Sequence, residues 1–266
     1  MFQHFVEYLN TADIFSIEII SILIIVGFIV GFINTIAGMA TAITYALFMA
    51  MGMPINIANG TTRVGVLSQF LVSSLIFKKK GYLDINIGIR VGIPVSIGAL
   101  IGAEFVAILD PKIIETIMGI ILPIVTILLF VNRKGDNHTS ESNLNTTPFT
   151  WWKYLIFIFI GMYGGFTHAG VGLLIIFGSF FMLGMDMLHA NAIKQFAVLI
   201  YTPIALLVFI YHGQINWPVA IIYAIGNILG GVAGSYASIK GGAKLIKIFV
   251  ASAVLIMSIW FVIKNI

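Results

Sequence analysis

Cysteine is absent from this 266-residue chain. That excludes disulfides, thiolate metal sites and cysteine nucleophiles together, and leaves the compartment undecided. Charge is almost as scarce: Asp, Glu, Lys and Arg are 9% of the residues, against about 25% in ordinary soluble domains. Fourteen Lys and Arg with ten Asp and Glu cannot coat a soluble domain of this size. A cleavable leader is not expected, because the first residues carry Glu7, Asp13 and Glu18 and no Lys or Arg, the reverse of a charged n-region. The spacing of His189 with Asp186, and of His212, makes no metal site, since no HExxH or clustered carboxylate pair accompanies them. The serines lack a nucleophile-elbow setting. Nothing calls for a metal or a cofactor, and no acid–base pair lies at membrane depth, so an enzyme is not expected.

What the chain has is hydrocarbon. Apolar residues are 60% of it and mean hydropathy is +1.08, which excludes disorder. Divided into spans of about 20 residues, the apolar sequence has room for about eight to ten crossings. The expectation is an all-α polytopic membrane protein of the cell (cytoplasmic) membrane, with the lipid bilayer as its surroundings. A net charge of +4 with a pI near 9.2 would suggest nucleic acid in a soluble protein. Here the cations lie mainly at the ends of apolar runs, where they report orientation, and no nucleic acid is expected.

Apolar segments fall at about 14–36, 39–53, 57–77, 85–109, 112–131, 154–168, 171–185, 190–211, 217–239 and 244–263. The stretch between 131 and 154, rich in Ser, Thr and Asn, reads as a linker. The chain thus divides into a first half (1–131), a polar linker (132–153) and a second half (154–266). The halves repeat. An ungapped offset of 132 residues aligns Ala37-Gly38 with Ala169-Gly170, Gly52-Met53 with Gly184-Met185, and Ala58-Asn59 with Ala190-Asn191. It also aligns Gly81 with Gly213, Gly98 with Gly230 and Gly102 with Gly234.

Five segments per half is an odd number, so the second half should be upside down relative to the first. With Lys78-Lys79-Lys80 inside, the inner loops hold nine cations and the outer loops two, Lys112 and Lys264. That bias favours an inverted duplication with both termini outside. Segments 39–53, 154–168 and 171–185 hold about 15 residues, or about 22 Å of helix, short of a core of about 30 Å. Two of them, 39–53 and 171–185, occupy matching places after glycine-containing breaks. Paired short or interrupted segments in inverted repeats point to a substrate site near the midplane. If they are re-entrant hairpins, each half crosses three times and the inversion survives.

At these breaks the chain resembles the TauE/SafE family of sulfite exporters. Gly164-Gly165-Phe166-Thr167-His168-Ala169-Gly170-Val171-Gly172 is similar to the family's G-G-F-x-x-A-G-x-G run. His189-Ala190-Asn191-Ala192-Ile193-Lys194 resembles R-A-N-A-x-K, Gly213-Gln214-Ile215-Asn216-Trp217 resembles G-x-[IV]-[DN]-W, and Ala58-Asn59-Gly60-Thr61-Thr62-Arg63-Val64 resembles A-x-G-T-N-R-[VL]. The chain departs from it at Gly38-Met39-Ala40-Thr41, where many members carry a run of glycines, and at Thr62, where Asn is common. The resemblance implies transport of a small anion, mainly a sulfur oxyanion or an organosulfonate.

Arg63 and Lys194 are the sharpest features. Each lies inside an apolar segment, one position apart under the repeat, where an unpaired cation costs several kcal/mol (about 2.5–3.5 on insertion scales) and marks function by default. Approaching from opposite sides, they are positioned to grip one anion. Against this stands a plainer reading, in which each snorkels or pairs with helix C-terminal carbonyls. Helices restarting after Gly38 and Gly170 would offer free N–H groups to an oxyanion, or those glycines serve close helix packing. The polar set on the same stretches is Asn34, Thr35, Asn59, Thr61, Thr62, Gln69, Thr167, His168, Asn191 and Gln195. Asn59 and Asn191 are read as caps of the helices that follow, and His168 as either an anion donor, a titrating group or a structural hydrogen bond. Arg90 reads as a snorkelling anchor, and Trp151, Trp152 and Trp217 as interfacial belt residues. The whole reads as a secondary-type transporter working by rocking of its halves. An anion channel and, less favoured, a membrane-embedded enzyme are its alternatives; a homo-oligomer and a coupling ion are left open.

Overall fold

The computed structural model describes residues 2–118 and 148–264. The described residues are helical, without strands. A short helix α1 (Phe2–Thr11) precedes α2 (Ile17–Ile36), α3 (Thr41–Ala50), α4 (Ile55–Lys79) and α5 (Ile85–Ile108). After the linker come α6 (Trp151–Thr167), α7 (Val171–Phe177) with a π turn at Gly178–Met182, α8 (Met187–Tyr211) and α9 (Trp217–Lys264). Residues 111–118 are also helical. The rest of the expected segment 112–131 and most of the expected linker 132–153 lie outside the described residues.

Local chemistry sets the ends. Ser16, Asp84 and Asp186 cap α2, α5 and α8, each accepting an N–H of the first turn, where the backbone has donors to spare. Lys78 and Lys79 close α4 at its negative dipole end. Glycines then reverse the chain: the offset pairs Gly38 and Gly170 (φ 77° and 80°), Gly52 and Gly184 (82° and 70°), and Gly81 and Gly213 (80° and 65°) are all left-handed, a conformation that suits residues without a Cβ. Glycines matched in sequence therefore make matched turns in both halves.

The helical pairings are exchanged between halves. α2 lies along α9, and its repeat counterpart α6 lies along α5; α4 packs on α9, and its counterpart α8 on α5. Glycine permits the closest of these approaches. A Cβ on Gly98 or Gly102 would sit about 2 Å from the Ile158 or Met162 carbonyl of α6, and one on Gly226 or Gly230 about 2.2 Å from the Ile24 or Phe28 carbonyl of α2. Small residues at every fourth position are how membrane helices gain contact where lipid supplies no hydrophobic drive.

Among the described residues, four helices are long and apolar enough to cross a membrane: Ile17–Ile36, Ile85–Ile108, Met187–Tyr211 and Trp217–Ile246. α4 has 25 residues and is not among them, since it carries Asn59, Thr61, Thr62, Arg63, Gln69 and Ser73 through its middle, all buried. Large apolar side chains meanwhile face outward, among them Ile93, Ile97 and Phe105 of α5 and Ile221, Ile225 and Leu229 of α9. Polar inside and hydrocarbon outside is the arrangement a bilayer selects. At 10 residues, α3 is about 15 Å long and cannot cross by itself. Exposed Trp151, Trp152 and Trp217 stand at the starts of α6 and α9.

Several expected boundaries shift. The two segments expected at 217–239 and 244–263 are two helices that run on from each other through a kink, where the backbone at Gly242 is non-helical (φ 57°, ψ −159°). Helix α1 falls before the first expected segment. Lys153, counted among loop cations, is buried in the first turn of α6 and donates to the Pro148 carbonyl at 2.8 Å. Arg90 is exposed, 5.9 Å from the Phe149 ring.

Candidate substrate site

Two breaks meet at the centre. In the first, α2 ends at Ile36, the chain turns through Gly38, and α3 starts at Thr41. Asn34 stitches this gap from below: its Oδ1 accepts from the Ala40 N–H (2.7 Å) and its Nδ2 donates to Thr41 Oγ1 (3.0 Å). In the second, α6 ends at Thr167, and the chain passes through His168 (φ 54°) and Gly170 (φ 80°) into α7. His168 Nδ1 lies 2.5 Å from the Tyr201 hydroxyl, and the Tyr163 hydroxyl donates to the Ala169 carbonyl at 2.6 Å. The breaks touch each other at two glycines. A Cβ on Gly38 would come 2.7 Å from Gly172, and one on Gly172 would come 2.7 Å from Gly38.

A helix that stops inside a membrane leaves carbonyls without intrahelical partners. Here each half supplies partners to the other. Arg63, on α4, donates through Nη2 to the Gly164 (3.2 Å) and Gly165 (2.5 Å) carbonyls of α6. Asn59, one turn earlier, donates to the Phe166 carbonyl (2.7 Å), and the Tyr45 hydroxyl donates to the Thr167 carbonyl. Reciprocally, Lys194, on α8, donates to the Asn34 and Thr35 carbonyls of α2, both at 2.8 Å, and Gln195 Nε2 joins it on Thr35 O at 2.8 Å. The carbonyl pairs 34/35 and 164/165 correspond at an offset of 130. At the 132-residue offset that matches Gly38 with Gly170, the counterparts of Asn34 O and Thr35 O are Phe166 O and Thr167 O, which Asn59 and Tyr45 hold. Within each half the pattern also repeats, as Arg63 Nε donates to Asn59 Oδ1 (3.3 Å) and Gln195 Nε2 to Asn191 Oδ1 (3.2 Å).

Both cations therefore have carbonyl partners, as the plainer reading expected, and both are fully buried. Aromatic faces line them: the Arg63 guanidinium lies 4.9 Å from the Phe209 ring and the Lys194 ammonium 5.5 Å from Phe70, favourable contacts for a desolvated cation. Donors remain unspent. Arg63 Nη1, Asn191 Nδ2 and Thr167 Oγ1 are buried with no hydrogen-bond partner among the described residues. The buried charged side chains there are Arg63, Lys153 and Lys194, and no buried Asp or Glu accompanies Arg63 and Lys194 among the described residues. Glu104 and Asp186 lie at the edge, each against a histidine. Burial pushes the Asp186 carboxyl up, but hydrogen bonds from the His189 ring and backbone outweigh it and hold the group below the usual carboxylate range.

Arg63, Asn59, Thr167 and His168 gather at one end of this crossing, and Lys194, Gln195, Asn191, Asn34 and Thr35 at the other. Thr61 and Thr62 lie apart from these contacts. Thr61 Oγ1 accepts from the Asn216 N–H at the start of α9, and Thr62 Oγ1 donates within its own helix to Ala58 O. Asn59 and Asn191 do not cap their helices, whose caps are Pro54 and Asp186; each lies a turn inside. Tyr45, Tyr163 and Tyr201 went unnoticed in the sequence, although a hydroxyl within an apolar run must find a partner when buried.

A cation-bearing polar crossing of two interrupted helices, enclosed by a bundle with hydrocarbon outside, defines a multi-pass membrane transporter. The model of the sulfite exporter TauE/SafE family matches residues 23–261, and the chain belongs to that family. It is 26% identical over 232 residues to the "Probable membrane transporter protein ORF9" of Sinorhizobium sp, covering 87% of this chain and 88% of that one. To the "Probable membrane transporter protein" of Haemophilus influenzae it is 28% identical, over 87% and 90% of the two chains. The "Probable membrane transporter protein YdhB" of Bacillus subtilis shares 22% identity, over 82% and 88%. No solved structure matches the chain.

Proposed function

We propose that this transporter carries a small anion, a sulfur oxyanion or an organosulfonate, at the crossing of its two breaks. The observation that supports this reading most is the charge of the interior. Arg63 and Lys194 are buried beside no carboxylate of the described residues, and their helix-end carbonyls are dipoles rather than counter-charges. A low-dielectric core with uncompensated positive charge favours an anionic occupant. Arg63 Nη1, Thr167 Oγ1 and Asn191 Nδ2 are its polar contacts, with Gly38, Gly170 and His168 at the edges of the breaks. Alternating access follows from rocking of two inverted halves, which the exchanged pairings and the cation distribution support. The family's printed name favours sulfite as the first solute to try.

Counter-flow of labelled sulfite, and in parallel of a sulfonate, into proteoliposomes tests the proposal. Saturable uptake that requires internal substrate is the expected result. Flux that rises linearly with concentration would replace it with a channel, and release of a chemically altered product would replace it with an enzyme.

A further inference from the structure

In transporters with interrupted helices, unwound carbonyls and half-helix C-termini commonly coordinate a Na+ ion. In this protein the equivalent carbonyls are already held by side-chain cations sent from the opposite half: the Lys194 ammonium at 2.8 Å from both Asn34 O and Thr35 O, and Arg63 on Gly164 O and Gly165 O. We propose that Lys194 and Arg63 are tethered substitutes for a free alkali cation at the two breaks. The protein then needs no Na+ there, and loss of the Lys194 ammonium opens a site for a small monovalent cation.

The surroundings of Lys194 support an oxygen-rich site independently of the ammonium contacts. Gln69 Nε2 donates to Thr35 Oγ1 (2.9 Å) and Gln195 Nε2 to Thr35 O (2.8 Å). The Thr35 hydroxyl spends its own proton on Gly31 O (2.8 Å), so it must accept from Gln69, and a carbonyl such as Thr35 O can only accept. Both amides are thereby oriented, and their oxygens, Gln69 Oε1 and Gln195 Oε1, are left buried without partners among the described residues. Two main-chain carbonyls, Asn34 O and Thr35 O, lie within reach of the ammonium, while the two amides meet Thr35 through their nitrogens and keep unspent oxygens outside hydrogen-bond reach of it. Hard cations take such oxygens. At the Arg63 end the fork is planar and broad, so the tethered-cation role is shared with shape, and Lys194, a point charge, is the better position to test.

The consequence for coupling rests on the transport reading above; the ion site does not. The test is thermal unfolding of the purified full chain in detergent, for wild type and Lys194→Ala, in chlorides of Li+, Na+ and K+ against N-methyl-D-glucamine. The wild type should unfold at one temperature in all four salts. Lys194→Ala should unfold lower in N-methyl-D-glucamine and recover by several degrees, saturably, in at least one alkali chloride. Stabilisation of the wild type by Na+ over N-methyl-D-glucamine would overturn the proposal. So would a folded Lys194→Ala indifferent to every alkali cation. If Lys194→Ala cannot be purified even in high alkali chloride while the neutral, similarly long Lys194→Gln can, the proposal fails as well. Absence of sulfite counter-flow would sink the transport reading while leaving these unfolding temperatures to decide the ion site.

Discussion

The two breaks do the same job with different tools. At the second, the carbonyls at the end of α6 are partnered by Arg63, Asn59 and the Tyr45 hydroxyl, all from the first half. At the first, Lys194 and Gln195 hold two carbonyls of α2, and Asn34 ties the gap from within its own half. The second break is therefore bound more tightly across the halves. Guanidinium explains part of this, because its planar fork serves two carbonyls and Asn59 together and still leaves Nη1 over, whereas an ammonium is a point charge. The first break is the looser joint, and relative movement of the halves should begin there.

The largest expected effect breaks that comparison directly. Arg63→Ala orphans Gly165 O and weakens the hold on Gly164 O, at a cost on the order of 3 kcal/mol. Lys194→Ala orphans Asn34 O, while Thr35 O keeps Gln195, for a cost on the order of 2 kcal/mol. Unfolding of the two purified variants should show the order Arg63 below Lys194. The reverse order would mean that the first break is the tighter one.

Next come the glycines in contact. Gly38→Ala combines crowding against Gly172, about 1–3 kcal/mol, with a left-handed backbone, about 1–2 kcal/mol. Gly172→Ala meets the same neighbour from a helical position, so it should lower the unfolding temperature less. His168→Gly is smaller again. It relieves the one left-handed non-glycine residue among those described and gives up the Tyr201 hydrogen bond, about 0.5–1.5 kcal/mol. The net change should fall within about 1 kcal/mol; a larger loss would make His168 a central tie of the second break.

The smallest effect concerns the caps. Asp186 caps α8 with its carboxylate, and its repeat counterpart Pro54 caps α4 with no side-chain bond. Because the Asp186 carboxyl is held below its ordinary range, its contribution is complete above that range and fades as pH falls through the lowered value. Acidification should lower the unfolding temperature of the wild type in that window. Asp186→Asn, which keeps an accepting oxygen, should remove this portion of the pH dependence, and Asp186→Ala should cost about 1 kcal/mol.

The repeat was legible because turns need glycine, and glycine survives at the same spacing in both halves. Arg63 and Lys194 were legible because ionised groups are out of place in hydrocarbon. Their partners were not: carbonyls carry no residue identity, and the donors reach across halves about 100 and 160 residues apart in sequence. Asn59 and Asn191 were misread as caps because Asn favours that role in general, while here each works from inside a helix. The break expected between 217–239 and 244–263 is present as the non-helical backbone at Gly242, which separates two helices.

Counter-flow of labelled sulfite with Asn191→Asp beside the wild type tests the central claim most directly. The substitution keeps the oxygen that accepts from Gln195, removes the unspent donor and adds a negative charge to a core whose buried charged residues, among those described, are cations. A buried, positively charged anion site predicts saturable flux in the wild type and its loss in a variant that still purifies and folds. Equal flux from both proteins would contradict it.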